Sequence, residues 1–384
     1  MIEISHKQNC SGCSACASAC PCHAITMEVD ATGFSYPIVN QSKCIDCGLC
    51  DTICPFTKEQ ILPPLQTCYA MQHKTAEILK KSTSGGVFIG ISDKVLQEGG
   101  VVYGAAFDDA MVVRHMRAQT VEERDTMCGS KYVQSDIGDV FLQVKEDLKQ
   151  NKPVLFTGTP CQVAGLRSFL RGKTEGLITC DLICHGVPSP LLFKEHLAFL
   201  SAKKRKKITG YYFRPKHWGW HVHREMAVFE NGRQYHSTCY SDLWRNIYYS
   251  RVATRESCSN CPYSSLYRPG DLTIGDCRGI DKVLPDFGSD AGVSLVLVNT
   301  EVGRKAFEAV CDVFKIAEID VQEVIQPPLK APSKANASAP AFWGNFNKHG
   351  YKKALTMYFG KHFVLKYYLK KLWKMCPILQ WLKG

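Results

Sequence analysis

The sequence predicts a mixed chain, α+β in a small first module and α/β in the larger domain that follows it. Three observations lead there. Residues 1–62 are dense in small residues and repeat one cysteine spacing, and Pro63-Pro64 then stiffens the chain and ends whatever precedes it. From Cys68 onward, short apolar runs alternate with longer helical stretches. A length of 384 residues is ample for two or three domains with a sizeable core. The expected units are residues 1–62, residues 68–330 and a basic tail over residues 337–384.

In the larger unit, GGVVYGAAF (99–107) and MVVRHM (111–116) read as strands and VFLQVKEDLKQ (140–150) as a helix. KPVLFTG (152–158) and GLITCDLIC (176–184) read as buried strands, and LLFKEHLAFL (191–200) as a helix. The charge run Lys203–Lys207 reads as a solvated turn ahead of the strand KITGYYF. In KHWGWHVHRE (216–225), His217, His221 and His223 suggest a metal site, but alternation along a half-buried strand, with His221 and His223 on one face, is the preferred reading. In the tail, a helix after Gly360 would gather Leu365, Tyr368, Leu369, Leu372 and Cys376 on one face and Lys366, Lys370 and Lys374 on the other. That pattern fits a terminal helix docked on the protein, or one lying on an anionic membrane surface with Trp373 and Trp381 near the headgroups.

Composition narrows the function classes. With 22% charged and 45% hydrophobic residues, the chain is a folded rather than a disordered one. Its formal net charge is +11, yet residues 351–384 hold eight lysines and no acid, so only three of those charges belong to everything before them. Basicity is a property of the tail, and a general nucleic-acid surface is not expected. No apolar stretch approaches the roughly 18 residues of a spanning helix, and MIEISHKQNC lacks the apolar core of a signal peptide. The chain is expected in the cytoplasm, with peripheral contact at the inner membrane face through the tail as an option. In a reducing compartment, its 20 cysteines point to thiolate ligands or redox chemistry rather than disulfides.

The spacing C-x2-C-x2-C-x3-C-P occurs at Cys10, Cys13, Cys16 and Cys20 and again at Cys44, Cys47, Cys50 and Cys54. Three thiolates so spaced wrap one face of a 4Fe-4S cubane, and the fourth cysteine reaches the other cluster, as in bacterial two-cluster ferredoxins. The expected ligand sets are therefore Cys10, Cys13, Cys16 and Cys54, and Cys44, Cys47, Cys50 and Cys20. Zinc knuckles, the rival reading, use paired C-x2-C units without the trailing Cys-Pro. Cys22 is a spare, read as packing, and Cys128, Cys180, Cys239, Cys311 and Cys376 read as structural.

Beyond that module stand STSGGVF (82–88), GSKYVQS (129–135), GTPCQVAGL (158–166), CHGVPSP (184–190), RESCSNCPY (255–263) and DLTIGDCRG (271–279). Together, in this order, they resemble the coenzyme F420 hydrogenase/dehydrogenase beta subunit family over about residues 68–300. Ser84-Gly85-Gly86 before an apolar helical run would offer backbone N–H groups to a phosphate, and Gly129-Ser130-Lys131 adds a hydroxyl and a cation. The resemblance implies that these loops hold FAD, through Ser84, Gly85, Gly86, Ser130, Lys131 and Tyr132. Cys161 opens a helix after a buried strand, where the helix dipole favours a thiolate, and Cys184 ends the next strand. If those strands are parallel neighbours, both cysteines lie on one sheet edge, where Cys258 and Cys261 would join them. A third 4Fe-4S cluster on Cys161, Cys184, Cys258 and Cys261 follows from the resemblance, with Cys277 the substitute. The implied activity is that of an iron–sulfur flavoprotein oxidoreductase, exchanging electrons between ferredoxin or another redox partner protein and a hydride-carrying small molecule, coenzyme F420 or another conjugated substrate. The alternative is a non-catalytic electron-transfer subunit that wires a partner enzyme to ferredoxin.

Overall fold

The computed structural model describes residues 2–4, 6–56, 61–237 and 243–360. In the first module the duplicated cysteine spacing becomes a duplicated backbone conformation. Gly12 and Asp46 hold φ of 69° and 51°, and two residues later Ser14 and Gly48 hold 64° and 65° as N-caps of the short helices Ala15–Ala19 and Leu49–Thr52. Between the two copies lies an antiparallel hairpin of β1 (Ile25–Val29) and β2 (Ser35–Val39).

The larger domain supplies β3 (Thr67–His73), β4 (Val101–Phe107), β5 (Val113–Ala118), β6 (Val154–Gly158) and β7 (Leu177–Leu182). A separate antiparallel sheet is made by β8 (Ile208–Tyr212), β9 (Met226–Phe229) and β10 (Gln234–His236), and β11 (Leu272–Asp276), β12 (Ser294–Val298) and β13 (Phe314–Glu318) return to the main sheet. That sheet runs β13-β3-β12-β11-β7-β6-β4-β5. Its centre, β4, β6, β7 and β11, is parallel, and its flanks are antiparallel. Every residue of β6 is buried, as covering a parallel sheet on both faces requires. On one face, Val87, Ile91 and Val95 of the helix Val87–Gln97 pack on Val102, Ala106 and Leu155. On the other, Val140, Phe141 and Val144 join Val163 and Leu166 over Tyr103, Val154 and Phe156. Cys13, Ala15 and Ile53 belong to that second cluster, so the two units share one core.

The strands expected at 99–107, 152–158 and 176–184 are β4, β6 and β7, and β6 and β7 are parallel neighbours, with Val154 opposite Leu177. The strand expected at 216–225 is absent. Pro215 and Gly219, the latter at φ 100°, bracket a single 3-10 turn at Lys216–Trp218, and the following residues are irregular, so His221 and His223 share no strand face. Of residues 337–384, the part from Ala339 to Phe359 forms two helices, Ala339–His349 and Tyr351–Phe359, whose Phe342, Trp343, Phe346, Tyr351 and Leu355 are buried with Leu192, Leu197 and Trp244. Residues 361–384, with the amphipathic pattern read from Leu365 to Trp381, lie outside the described residues, as do Cys239 and Cys376. Among the described residues, no helix is long and apolar enough to cross a membrane.

Candidate functional site

The eight cysteines of the first module gather into two groups, and the fourth cysteine of each run lies with the first three of the other. Cys10, Cys13, Cys16 and Cys54 line one pocket; Cys20, Cys44, Cys47 and Cys50 line another. Cys22 sits beside the second group, 3.7 Å from the sulfur of Cys20. Backbone N–H groups donate to the sulfurs: Gly12 to Cys10 at 3.4 Å, Ala24 to Cys20 at 3.2 Å and Ile2 to Cys50 at 3.2 Å. Burial pushes the Cys13 thiol up to about 12 and that of Cys16 higher still. Soft sulfur donors in apolar surroundings, where a bare thiolate is disfavoured, fit an iron–sulfur cluster whose own positive core stabilises them. Cys47 is exposed, so the second group is the solvent-facing end of the module.

A third group forms where the central strands end. Cys161 is the second residue of the helix Pro160–Leu170 after β6, Cys184 follows β7, and Cys258 and Cys261 come from the turn at Glu256–Asn260 and the residue after it. Cys258 feels the charges of Cys184, Cys161 and Cys261, Cys184 those of Cys161 and Cys261, and Cys161 that of Cys261, so every pair among the four is linked. A buried ion pair holds their loops in place: Arg268 binds Asp181 of β7 at 2.6 Å, and its guanidinium also donates to the carbonyls of Tyr263 and Leu182. Burial pushes the Cys161 thiol up to about 11 and that of Cys184 up to about 12. Cys277 lies elsewhere, in the core beside Cys68. Cys180 is buried on β7 opposite Leu272 of β11, and the thiol of Cys311 donates to the carbonyl of Phe307.

The third group adjoins the first. Gly165 brings the helix Pro160–Leu170 so close to Cys13 that a Cβ there would lie 2.8 Å from the cysteine sulfur. Tyr263, 1% exposed, feels the charges of Cys161, Cys13, Cys261 and Cys54, and its hydroxyl donates to the carbonyl of Pro55.

The residues expected to hold FAD divide. Ser130 N–H donates to Thr83 Oγ1, so the loops around Ser84 and Ser130 are neighbours. Ser84 Oγ, however, donates to the carbonyl of Val293, and Gly85 N–H donates to Ser294 Oγ, so both donors are engaged within the protein. Gly85 is small because the loop lies on β3: a Cβ would sit 2.0 Å from the carbonyl oxygen of Met71. What remains for a phosphate is the N-terminus of the helix Val87–Gln97, capped by Gly86, and half-buried Lys131, whose ammonium donates only to the carbonyls of Thr126 and Cys128. Burial pushes that ammonium down to about 7.

Tyr132 faces a different neighbourhood, which the sequence reading missed. Its ring stacks on Tyr248 at 4.6 Å and runs parallel to His223 at 6.4 Å. Arg214 and Arg278 share Asp276 beside it, and Arg245 lies over Tyr249. Burial and the charges of Arg214, Arg278 and Arg245 push His223 down to about 3. The charge of Cys184 reaches Tyr248, so this aromatic, cationic wall borders the third cysteine group. The only sequence signals were the scattered arginines of FRPKH, DLWRN and DCRG.

Two stretches of the chain match models of known families. Residues 151–323 match the family model for the C-terminal part of the coenzyme F420 hydrogenase/dehydrogenase beta subunit, and residues 9–58 match that of the 4Fe-4S dicluster domain. Among solved structures, a chain of the F420-reducing NiFe hydrogenase complex from Methanosarcina barkeri is similar at 18% identity and a TM-score of 0.46, covering 78% of this chain and 93% of that one. No curated protein matches. A 4Fe-4S dicluster domain over residues 9–58 thus precedes a stretch, residues 151–323, that is similar to the C-terminal part of the coenzyme F420 hydrogenase/dehydrogenase beta subunit, and at that coarse level the chain is an iron–sulfur electron-transfer protein related to that oxidoreductase subunit.

Proposed function

We propose that the protein is an iron–sulfur flavoprotein that exchanges electrons between a one-electron redox partner protein, such as ferredoxin, and a hydride-carrying conjugated small molecule of the coenzyme F420 type. Cys10, Cys13, Cys16 and Cys54 would hold one 4Fe-4S cluster, Cys20, Cys44, Cys47 and Cys50 a second, and Cys161, Cys184, Cys258 and Cys261 a third. The clusters supply single electrons, and a flavin, able to hold none, one or two, is the natural junction with a hydride carrier. One observation carries the reading: the third cysteine group lies between the first group, through Tyr263, and the aromatic, cationic wall at Tyr248 and Tyr132. The solvent-facing second group, with exposed Cys47, is where a partner protein would deliver or collect electrons. Lys131 and the N-terminus capped by Gly86 would hold flavin phosphate.

The double replacement Cys258→Ser with Cys261→Ser tests this. Anaerobically prepared protein should hold about 12 iron atoms per chain and the variant about 8. The variant should keep its flavin and still exchange hydride, yet fail to pass electrons from reduced ferredoxin to the flavin. An unchanged iron content would overturn the third cluster. The engaged donors of Ser84 and Gly85 favour a second reading, a wire without flavin, which purified protein holding clusters but no flavin would establish.

A further inference from the structure

We infer that Arg255 is a built-in counter-charge for the cluster held by Cys10, Cys13, Cys16 and Cys54, raising that cluster's reduction potential and so drawing electrons inward from the solvent-facing cluster. The inference rests on the ligand assignment proposed above.

Arg255 belongs to the larger domain, three residues before Cys258, yet its side chain reaches into the first module. It is 1% exposed. Its Nε–H donates to the carbonyl of Cys10 at 2.8 Å, one terminal nitrogen donates to Gln134 Oε1 at 3.1 Å and the other to the carbonyl of Ser35 at 2.9 Å. That last nitrogen lies 3.7 Å from the sulfur of Cys10. The guanidinium stacks over Tyr36, 4.4 Å from the ring centre, and Phe34 flanks it at 5.3 Å. Gly12 makes room, because a Cβ there would lie 2.8 Å from Arg255.

What this arrangement lacks, among the described residues, is a carboxylate. Arg268, equally buried, has Asp181, and Arg117 and Arg214 have Asp147 and Asp276; Arg255 forms no ion pair with any of them. Of the acids near this corner, Asp30 is paired with Lys7 and Glu256 is exposed. A buried cation with only neutral partners costs several kcal/mol unless a negative charge stands close by. Four thiolates around a doubly positive iron–sulfur core form a net anion, and reduction makes it one unit more negative. The cluster is thus the missing counter-ion, and the cation favours its reduced form by Coulomb attraction in a medium of low dielectric constant. The charge of Arg255 also reaches Cys161, so a weaker effect extends to the third cluster, while the group around Cys20 is out of its contacts.

EPR-monitored redox titration of the full chain reads the effect without any assay of turnover. Arg255→Gln, which removes the charge, should shift the reduction equilibrium of one N-terminal cluster at least tenfold toward the oxidised form, about 59 mV for a one-electron couple. The other N-terminal cluster should keep its potential. Gln134→Glu is the milder companion, since it leaves Arg255 in place and sets a carboxylate against it; it should shift the same cluster in the same direction. Arg255→Lys should retain most of the wild-type potential. If Arg255→Gln fails to assemble, Gln134→Glu decides alone: a variant with full iron content and unchanged potentials overturns the inference. A wild-type chain with fewer than about 8 iron atoms would instead overturn the ligand assignment beneath it.

Discussion

At the residue scale, Lys131 is the side chain on which the flavin proposal turns. Its ammonium has no carboxylate partner among the described residues, donates only to two carbonyls, and is pushed down to about 7 by burial. A charge-assisted hydrogen bond from it to phosphate is worth about 1.5–3 kcal/mol, so Lys131→Ala should weaken FAD binding roughly tenfold to a hundredfold. Iron content should not change. The sign with pH follows from the same group: the side chain is charged below about 7 and neutral above it, so FAD affinity should fall as pH rises through that value. In Lys131→Ala that fall should vanish. Equilibrium dialysis against FAD from about pH 6 to 9, a range that brackets this titration, checks both, and equal affinity in the two proteins would remove Lys131 from the site. The spacing of Gly129-Ser130-Lys131 marks this lysine in the sequence, whereas the engagement of Ser84 and Gly85 with Val293 and Ser294, 209 residues further along the chain, leaves no local trace.

At the element scale, the helix Pro160–Leu170 connects the first and third cysteine groups. Its N-terminus carries Cys161, and Gly165 at its centre lies on Cys13. Alanine is the better helix former by about 1 kcal/mol, yet Gly165→Ala should destabilise the protein, because its Cβ would meet both Cβ and sulfur of Cys13 at 2.8 Å. Overpacking of this kind costs about 1–3 kcal/mol. The expected outcome is a lower melting temperature together with loss of iron from the first module; a variant as stable as the wild type with full iron would show that the helix can shift without cost. Cysteine spacing marks the ligand runs of the first module, since each is local. The Cys161, Cys184, Cys258 and Cys261 group is scattered along the chain and needs the parallel pairing of β6 with β7 and the Arg268–Asp181 ion pair to assemble.

At the scale of the whole molecule, the first module is a part of the core rather than an appendage. Cys13, Ala15 and Ile53 are packed among Tyr103, Phe141, Phe156 and Val163, and Ser189 Oγ donates to the carbonyl of Thr32 across the boundary. The other end of the chain contributes Phe342, Trp343 and Tyr351 to a second core. The lysines beyond Gly360 are the remaining basic feature, and each near an anionic surface is worth about 1 kcal/mol. Full-length protein is expected to bind vesicles containing anionic lipid, with affinity falling as salt is added, and truncation after Gly360 should abolish the binding. Equal partitioning of the two proteins in a vesicle sedimentation assay would assign those residues to docking on the protein itself.

The sequence by itself determined what is local or periodic: the two cysteine runs, the buried strands at 99–107, 152–158 and 176–184, and the strand-to-loop positions of Cys161 and Cys184 that a parallel pairing sets on one edge. Cluster ligation is written in spacings of two and three residues, and a buried strand in an apolar run, so both survive without knowledge of the rest of the chain. Tertiary structure alone decided the placement of Arg255 against Cys10, Tyr263 between two cysteine groups, and the wall of Tyr132, Tyr248, His223, Arg214 and Arg278. The expected strand at 216–225 gave way to irregular chain for a local reason, the backbone demands of Pro215 and Gly219. The physical reason is common to all of the side-chain placements. Desolvation and Coulomb energy depend on distance through space, and a lone arginine or tyrosine carries no sequence mark of the charge it will be buried beside.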